Sequence, residues 1–346
     1  MTVLSGVSDF FGLDLGSTAL RAVQLRGSGS VKALDVYGQV PIQGNLTLSD
    51  SKMDTPKLAQ IIKDFTHQIG ISSKNVAVNL PSNRVFTTVI DLDRMPAADL
   101  AKSINYQVEA SIPTPLDESK IDWAVIGDSP NDPKKNEVLL SSVPNEFIEK
   151  RLDMLESIGL NVIAFEPDSM ALTRAVIPID VMTPQLILDI GSKATDLVIA
   201  MNGAPHLSRA IPTGSEAIVH AAVQNLHIET TQAEQFVLKF GLGKDKLEGQ
   251  VYNAIINTVD SLIGEIEKSI KFFQGRYPNN KLERIIVTGG ASTLPELPLY
   301  IANHFGMSVE IGNAWRNVSF PASKQNELLA VSNHFAVAVG LAERTA

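Results

Sequence analysis

The sequence predicts an α/β protein built from two similar lobes, and three observations support that prediction. The chain has 346 residues, more than one hydrophobic core usually organises, so two domains are expected. Residues 11–18 (FGLDLGST) and 188–195 (LDIGSKAT) share an apolar strand that leads into Asp, an apolar residue, Gly and Ser. Residues 285–292 (IIVTGGAS) predict a further strand that ends in a glycine pair. A repeated strand–turn unit favours two similar α/β halves.

The composition is that of an ordinary globular protein. Hydrophobic residues make up 44% of the chain and charged residues 19%, a balance typical of globular domains. We expect no transmembrane helix, because no apolar run reaches roughly 18 residues without a charge, and no signal peptide at residues 1–9. The lack of cysteine excludes disulfides and thiolate metal sites and fits a cytoplasmic location. A net charge of −9 without a basic stripe argues against a nucleic-acid partner.

The two repeated turns offer the chemistry of a phosphate site. One copy alone would indicate only an ordinary β-turn, whereas two copies place donors at the ends of two similar strands. The donors are the backbone amides around Gly16 and Gly191 and the hydroxyl groups of Ser17, Thr18, Ser192 and Thr195. Asp14 and Asp189 would be repelled by phosphate directly, so we expect them to act through Mg²⁺ and its waters.

In these stretches the chain resembles the actin-like ATPase superfamily, whose two phosphate loops have this form. The resemblance implies a two-lobed fold that binds ATP between its lobes. Arg21 lies where the pilus branch of the superfamily usually has a lysine that could reach phosphate, although an exposed strand arginine explains it equally well. Gly214 lies in a segment similar to a loop near the γ-phosphate. Glu166 matches the position that holds the attacking water, and a carboxylate favoured near a helix N-terminus is the alternative explanation.

The resemblance also implies an adenosine site in the second half of the chain. Glu234 matches the residue that hydrogen-bonds ribose, but Val237 stands where relatives carry lysine, and whether Lys239 replaces that lysine stays open. Lys268 lies where relatives touch adenosine, and a solvated helix face is the alternative. The residues of the glycine-pair segment that the resemblance assigns to this site are Gly289, Gly290 and Ser292.

A second motif narrows the resemblance to the PilM family of type IV pilus assembly proteins. The order of "LP", "VF", a helix, "IPTPLDE" and "DW" between residues 80 and 123 is similar to that family's inserted subdomain. We therefore expect a first lobe at residues 1–80 and 160–183 and a small α+β subdomain, here called the insert, at 81–159. The second lobe is expected at residues 184–346, with a helical subdomain at about 226–284 and the adenosine loop.

The family resemblance implies an ATP-binding scaffold with at most slow ATPase activity. Such a protein is cytoplasmic and reaches the inner face of the membrane through partners, without inserting into it. The implied partners are the N-terminal cytoplasmic tail of a PilN-like membrane protein and the pilus motor ATPases. We expect the tail in a cleft between the insert and the first lobe, because clefts between subdomains commonly hold ligands. The residues predicted to bind it are Leu80, Arg84, Phe86, Pro113 and Pro115. The alternative is that the apolar residues of this set belong to the hydrophobic core of the insert.

Two other functions use the same fold. A small-molecule kinase would need a catalytic Asp near the γ-phosphate, and no Asp-rich motif lies beside the glycine turns. A membrane-associated division protein of the FtsA type would carry a terminal amphipathic helix, and residues 340–346 (GLAERTA) do not resemble one. The pilus scaffold therefore remains the leading prediction.

Overall fold

The fold is described from a computed structural model that covers residues 9–27, 29, 31–43, 46–49 and 51–345. In chain order the strands are β1 (Phe11–Leu15), β2 (Ala19–Arg26), β3 (Lys32–Pro41), β4 (Asn75–Leu80), β5 (Phe86–Asp93), β6 (Ser119–Asp128), β7 (Lys135–Pro144), β8 (Asn161–Pro167), β9 (Gln185–Ile190), β10 (Thr195–Met201), β11 (Ala204–Ile211), β12 (Arg284–Thr288), β13 (Ser308–Ile311) and β14 (Val318–Ser319). The α-helices are α1 (Asp54–Gln68), α2 (Ala97–Val108), α3 (Asn145–Ser157), α4 (Asp168–Val176), α5 (Ser215–Leu226), α6 (Thr230–Phe240), α7 (Gln250–Arg276), α8 (Leu297–Phe305), α9 (Gln325–Val331) and α10 (Ala336–Ala342).

The predicted duplication is confirmed by the topology of two sheets. One sheet has the order β14-β3-β2-β1-β4-β8 and the other has the order β11-β10-β9-β12-β13. In each, an antiparallel hairpin pair is followed by parallel strands, with β1–β2 and β1–β4 matched by β9–β10 and β9–β12. Both repeated turns therefore lie between equivalent strands of two equivalent lobes.

The C-terminal segment differs from its predicted place in the second lobe. Strand β14 pairs in parallel with β3 of the first-lobe sheet. Trp315 and Phe335 are buried in a core that also contains Val23 of the first sheet and Ile187 of the second. The physical reason is the composition of α10, whose residues are all buried, because a helix that is apolar on every side must lie inside the protein.

The insert forms a three-stranded sheet in the order β5-β7-β6. Leu92, Leu100, Ile104 and Val138 belong to a small core of its own. Its last helix, α3, instead places Met154 in the core of the first lobe. The insert is therefore a separate sheet that α3 anchors to the first lobe.

The second lobe covers the outer face of its sheet with helices. The apolar stripe of α7, which includes Ile255, Val259 and Ile266, is buried against the strands and against α5 and α6. Within the part of the chain that is described, no helix combines the length and the apolar character that crossing a membrane requires.

Two helices, α4 and α10, lie between the lobes and touch backbone to backbone. A Cβ atom on Gly340 of α10 would overlap the carbonyl oxygen of Ala171 in α4. A Cβ atom on Gly12 of β1 would overlap the carbonyl oxygen of Ala338. These contacts bring the first-lobe sheet and the inter-lobe helices closer than any side chain would permit.

We therefore expect Gly340→Ala to lower the free energy of unfolding by about 1–3 kcal/mol, because an added methyl group must push two helices apart. The measurement is the thermal or urea-induced unfolding of the variant. The matched control is Gly264→Ala in α7, where an added Cβ has open space around it and better helix propensity favours a gain of up to about 1 kcal/mol. Equal stability of the two variants would contradict the close packing.

Candidate functional site

The two repeated turns face one another across a cavity of about 330 Å³ between the lobes, here called the inter-lobe cavity. It is lined from the first lobe by Asp14, Gly16, Ser17, Thr18, Arg21, Asn79 and Asp168, from the second by Asp189, Gly191, Ser192, Asp196, Gly289 and Gly290, and also by Pro81, Ser82, Asn83 and His334. A second space of about 720 Å³, here called the outer cavity, adjoins it. Thr18, Ser192 and Gly290 border both, so the two form one elongated site.

Asp14 is paired with a cation in the first-lobe hairpin. Register places Asp14 opposite Arg21 across β1 and β2, and Arg21 Nη1 lies 3.4 Å from Asp14 Oδ2. Among the described residues, Arg21 Nε has no hydrogen-bond partner although it is buried. The arginine, which lines the cavity, is therefore held in place by a carboxylate.

The second-lobe hairpin repeats this register with a different pair. Asp189 lies opposite Asp196 across β9 and β10, so a carboxylate replaces the guanidinium. Asp196 lines the cavity and is hydrogen-bonded to Ser82. Sequence reasoning missed Asp196, although its spacing from Asp189 equals that of Arg21 from Asp14 and could have indicated it.

A fourth carboxylate, that of Asp168, reaches the cavity from the N-terminus of α4. Asn79 orients it, because Asn79 Nδ2 donates to Asp168 Oδ1 at 3.0 Å and Asn79 Oδ1 accepts from the Leu15 amide at 2.7 Å. The amide side chain thereby connects the first turn to the inter-lobe helix. Neither Asp168 nor Asn79 was selected from the sequence.

Glu166 does not occupy the position that the sequence predicted. Both of its carboxylate oxygens are taken by arginines: Arg174 Nη2 lies 2.5 Å from Oε1 and Arg344 Nη1 lies 2.6 Å from Oε2. It lies at the edge of a different cavity, beside the insert. The expectation that Glu166 holds the attacking water is wrong for this structure, and Asp168, two residues later, faces the inter-lobe cavity instead.

Burial raises the pKa values of all four aspartates, and neighbouring carboxylates add to the rise at Asp168, Asp189 and Asp196. Burial, then the neighbouring Asp196 and Asp14, raise the pKa of Asp189 to about 8. Burial raises the pKa of Asp196 to about 6, with Asp14 adding to the shift. Burial also raises the pKa values of Asp14 and Asp168, and Arg21 partly offsets the rise at Asp14. Crowded carboxylates of this kind favour protons or a cation.

The aspartates of the inter-lobe cavity could supply only part of the coordination shell of a metal ion. Across the described residues, no group of three or more His, Asp or Glu side chains is arranged to hold an ion alone. Magnesium usually keeps several waters and takes few protein carboxylates. The arrangement therefore fits an ion that Asp14 and Asp189 would face. Water molecules and phosphate oxygens would complete the coordination shell of that ion.

The glycines close the cavity by letting backbone approach backbone. Gly289 has φ +84°, and a Cβ there would lie 2.5 Å from Asp189 Oδ1. A Cβ on Gly214, at the start of α5, would overlap the carbonyl oxygen of Ser192. The amide of Ser215 then donates to the carbonyl of Gly191 at 2.9 Å, so α5 begins directly at the second turn.

Three of the predicted residues use their hydroxyl groups within the protein, and one of them, Ser192, donates its Oγ to Glu216 Oε1 at 2.8 Å. Thr195 Oγ1 donates to the carbonyl of Thr213 at 2.7 Å and is fully buried. Ser292 Oγ donates to the carbonyl of Gly289 at 2.7 Å and accepts from Asn333 at 2.9 Å. The predictions of direct nucleotide contact by Thr195 and Ser292 are corrected, because these groups fix the turns from behind. Ser17 and Thr18 do line the cavity.

Of Glu234 and Lys268, the two charged residues predicted to contact adenosine, one lines the outer cavity. Glu234 lines it, together with Val237 and Leu294. Lys268 instead lies on the exposed side of α7, where its Nζ is 2.6 Å from Glu265 Oε1. It is absent from the lining of this cavity, and its contact with adenosine stays a prediction. Lys239 Nζ lies over the Phe240 ring at 5.3 Å, and Val237 leaves this part of the wall apolar.

A third cavity, of about 240 Å³, lies between the insert and the first lobe and is called the insert cleft. It is lined by Leu80, Val85, Lys120, Asp122, Trp123, Ala124, Leu139, Ser141, Val143, Ile148, Phe165, Glu166, Pro167, Met170 and Arg344. A cleft at the predicted boundary is therefore present, with mostly apolar walls and charged groups at its rim.

Leu80 is the member of the predicted partner set that reaches the insert cleft. Arg84 turns the other way, with its guanidinium 5.6 Å from the Phe147 ring centroid. Phe86 begins β5 and is 36% exposed, and Pro113 and Pro115 flank the turn between α2 and β6. These four residues are absent from the lining of the cleft, and their roles in binding a partner stay predictions.

Comparison with known proteins identifies the family. The family model described as type IV pilus assembly protein PilM matches residues 12–346. The chain belongs to this family. Membership in the PilM family favours the pilus scaffold over the kinase and division-protein alternatives. It makes this chain a type IV pilus assembly protein with an actin-like fold.

Solved structures support the same fold. A structure titled "PilM-PilN type IV pilus biogenesis complex" is similar with a TM-score of 0.80 and 23% identity, over 96% of this chain and 97% of that one. The ethanolamine utilization protein EutJ of Carboxydothermus hydrogenoformans has a TM-score of 0.57 and 13% identity, over 96% of this chain and 88% of that one. MreB5 of Spiroplasma citri bound to AMPPNP has a TM-score of 0.56 and 14% identity, over 96% and 94%.

We expect the stability of the ligand-free protein to fall as pH rises from about 4 to about 8. In that range folded Asp189 keeps a proton that the unfolded chain has released, since its pKa is raised to about 8. Each such proton contributes a slope of about −1.4 kcal/mol per pH unit. Asp189→Asn should flatten the dependence of melting temperature on pH. The control Asp64→Asn, on the exposed face of α1, should follow the wild type, and parallel curves for both variants would refute the shift.

Proposed function

We propose that this PilM-family protein binds a magnesium–nucleotide complex between its lobes and docks the N-terminal tail of a PilN-like membrane protein in the insert cleft. The observation that carries the proposal is the placement of two cavities on either side of one turn. Pro81, Ser82 and Asn83 line the inter-lobe cavity, while Leu80 and Val85 line the insert cleft. Such an arrangement suits a scaffold that binds a nucleotide in one cavity and a peptide in the other.

The nucleotide part of the proposal rests on the geometry of the elongated site. Phosphates in the inter-lobe cavity would meet the amides of both glycine turns and the guanidinium of Arg21, while Asp14 and Asp189 would face Mg²⁺ through its waters. The outer cavity, with Glu234 near its edge, would take the ribose and base. The bound nucleotides in the MreB5 structures, ADP in one and AMPPNP in another, support this reading.

We propose that hydrolysis is slow or absent. Asp168 is the carboxylate placed to orient an attacking water, but burial and its acidic neighbours raise its pKa well above the usual value. A general base must be ionised at the operating pH. Asp168 becomes a useful base only when a cation restores its charge, which makes the site better suited to holding nucleotide than to rapid turnover.

The partner part of the proposal rests on the walls of the insert cleft. Apolar groups such as Val143, Phe165 and Met170 form its floor, and Lys120 and Arg344 lie among its lining residues. An extended peptide can bury alternate apolar side chains on such a floor and satisfy its backbone at the walls. The PilM–PilN title of the similar structure supports a PilN-like occupant. The tail would hold the protein at the inner face of the cytoplasmic membrane, within reach of the motor ATPases.

We expect Gly290→Val to weaken magnesium–nucleotide binding at least tenfold, a loss of about 1.4 kcal/mol. Gly290 borders both cavities, and a Cβ there meets His334 only at 3.6 Å, so the added side chain enters the ligand's space without disturbing the fold. Calorimetric titration with ADP or AMPPNP measures the loss. Gly127→Val, where the added group has open space, is the control, and unchanged affinity in Gly290→Val would remove the site.

We expect Ala124→Arg to abolish binding of the PilN-type tail peptide, because the exposed Ala124 lines the cleft and a long side chain there fills it. The neighbouring Val125 is absent from the lining of the cleft and is 47% exposed. Val125→Arg should therefore bind the peptide at wild-type strength. Fluorescence anisotropy with a labelled synthetic tail compares them, and equal binding by both variants would place the tail elsewhere.

A further inference from the structure

The insert touches the second lobe through a buried group of charges. Glu137 of β7 is 2% exposed. Its Oε1 accepts from Tyr277 Oη at 2.6 Å, from Arg276 Nη2 at 2.9 Å and from Arg276 Nε at 3.2 Å. Arg276 Nη2 also donates to Asp91 Oδ1 of β5 at 2.8 Å. The two acids belong to the insert, and the arginine and tyrosine belong to the second lobe.

The acids need this cation. Register places Asp91 directly opposite Glu137 across β5 and β7, and like charges in that position repel. The guanidinium of Arg276 bridges the two carboxylates, so the insert's own sheet depends on a residue of the other body. On the far side, Glu137 Oε2 lies 3.6 Å from His206 Nε2, and burial lowers the pKa of His206, which leaves Arg276 as the main counter-charge.

The same strand face leads from this contact to the insert cleft. Alternate residues of a strand share a face, so Glu137 lies on the side of β7 that carries Leu139, Ser141 and Val143. Those three residues line the cleft. The strand that forms the cleft wall is therefore fixed at one end by the second lobe.

The second lobe is in turn positioned by whatever fills the inter-lobe cavity. A nucleotide there would touch the Asp14 turn of one lobe and the Asp189 turn of the other, and so would favour one relative position of the lobes. Arg276 can reach Asp91 and Glu137 only in positions close to the present one, because charge-assisted hydrogen bonds lose most of their strength with small displacements.

We propose that Asp91, Glu137, Arg276 and Tyr277 form a latch through which the nucleotide between the lobes and the peptide in the insert cleft strengthen each other's binding. This inference rests on the proposed function. Nucleotide holds the lobes where the latch closes, the closed latch holds β7 in its cleft-forming position, and a peptide against β7 favours the closed latch. Such coupling is reciprocal.

The test is the affinity of a synthetic PilN-type N-terminal tail peptide with and without Mg-AMPPNP. In wild-type protein we expect AMPPNP to tighten peptide binding at least about fivefold, the lower end of typical coupling. Glu137→Gln and Arg276→Gln break the latch from opposite sides. In both variants the ratio of the peptide affinity with Mg-AMPPNP to the affinity without it should fall to within about twofold of one. Tyr277→Phe keeps the side-chain volume and removes a single hydrogen bond, so it should give an intermediate ratio in a fully folded protein.

The control is Arg209→Gln, which breaks the 2.6 Å ion pair of Arg209 with Glu265 inside the second lobe and should keep the wild-type ratio. A ratio of one in the wild type, or a wild-type ratio in both latch variants, overturns the latch while each ligand still binds alone. If the wild-type protein binds no nucleotide or no peptide, the proposed function and the latch are overturned together. These two kinds of failure are thus distinguished by the single-ligand titrations.

Discussion

The close approach of α10 to α4 and β1 is the constraint on which the rest of the structure depends. Gly340 and Gly12 allow backbone to touch backbone at this point, and the fully buried α10 fills the space between two sheets. With the lobes held at this distance, the ends of β1 and β9 open onto one cavity. Larger residues at the two glycines would separate the sheets and, with them, the two aspartate turns.

That geometry has an electrostatic consequence. Four carboxylates face one small space; burial raises the pKa values of all four, and repulsion from neighbouring carboxylates adds to the rise at three of them. The ligand-free arrangement therefore stores unfavourable charge that a divalent cation and the donors of the glycine turns would relieve. Arg21, held by Asp14, is the one guanidinium among the residues that line the described cavity. Under the proposed function, an anion that arrives with its own cation would supply both the divalent cation and a partner for the donors of the glycine turns.

The insert shows the same principle between domains. Asp91 and Glu137 oppose each other within the insert sheet, and their counter-charge, Arg276, comes from the second lobe. A buried acid pair whose cation lies on another body ties the two bodies together more specifically than apolar contact does, because removing one partner leaves a buried charge unmatched. The insert is consequently attached at two ends, to the first lobe by α3 and to the second lobe by this group.

The sequence by itself determined the elements whose cause is local. Apolar alternation, the Asp-x-Gly turns, the glycine pair and the helical stripe of α7 follow from backbone periodicity and turn chemistry, which depend on neighbours in the chain. Those signals were sufficient for two similar α/β lobes and for the turns around Asp14 and Asp189, whereas the insert was expected only from the resemblance to a family. They could not decide which flanking side chain faces the ligand space. Thr195 and Asp196 lie side by side in the chain and point to opposite faces of β10, and Glu166 and Asp168 are separated by the start of α4. Only the packing of one lobe on the other decided that Asp196 and Asp168 line the cavity, while Thr195 and Glu166 form hydrogen bonds within the protein. The reason is that the direction of a side chain has no functional meaning until a distant part of the chain forms the opposite wall.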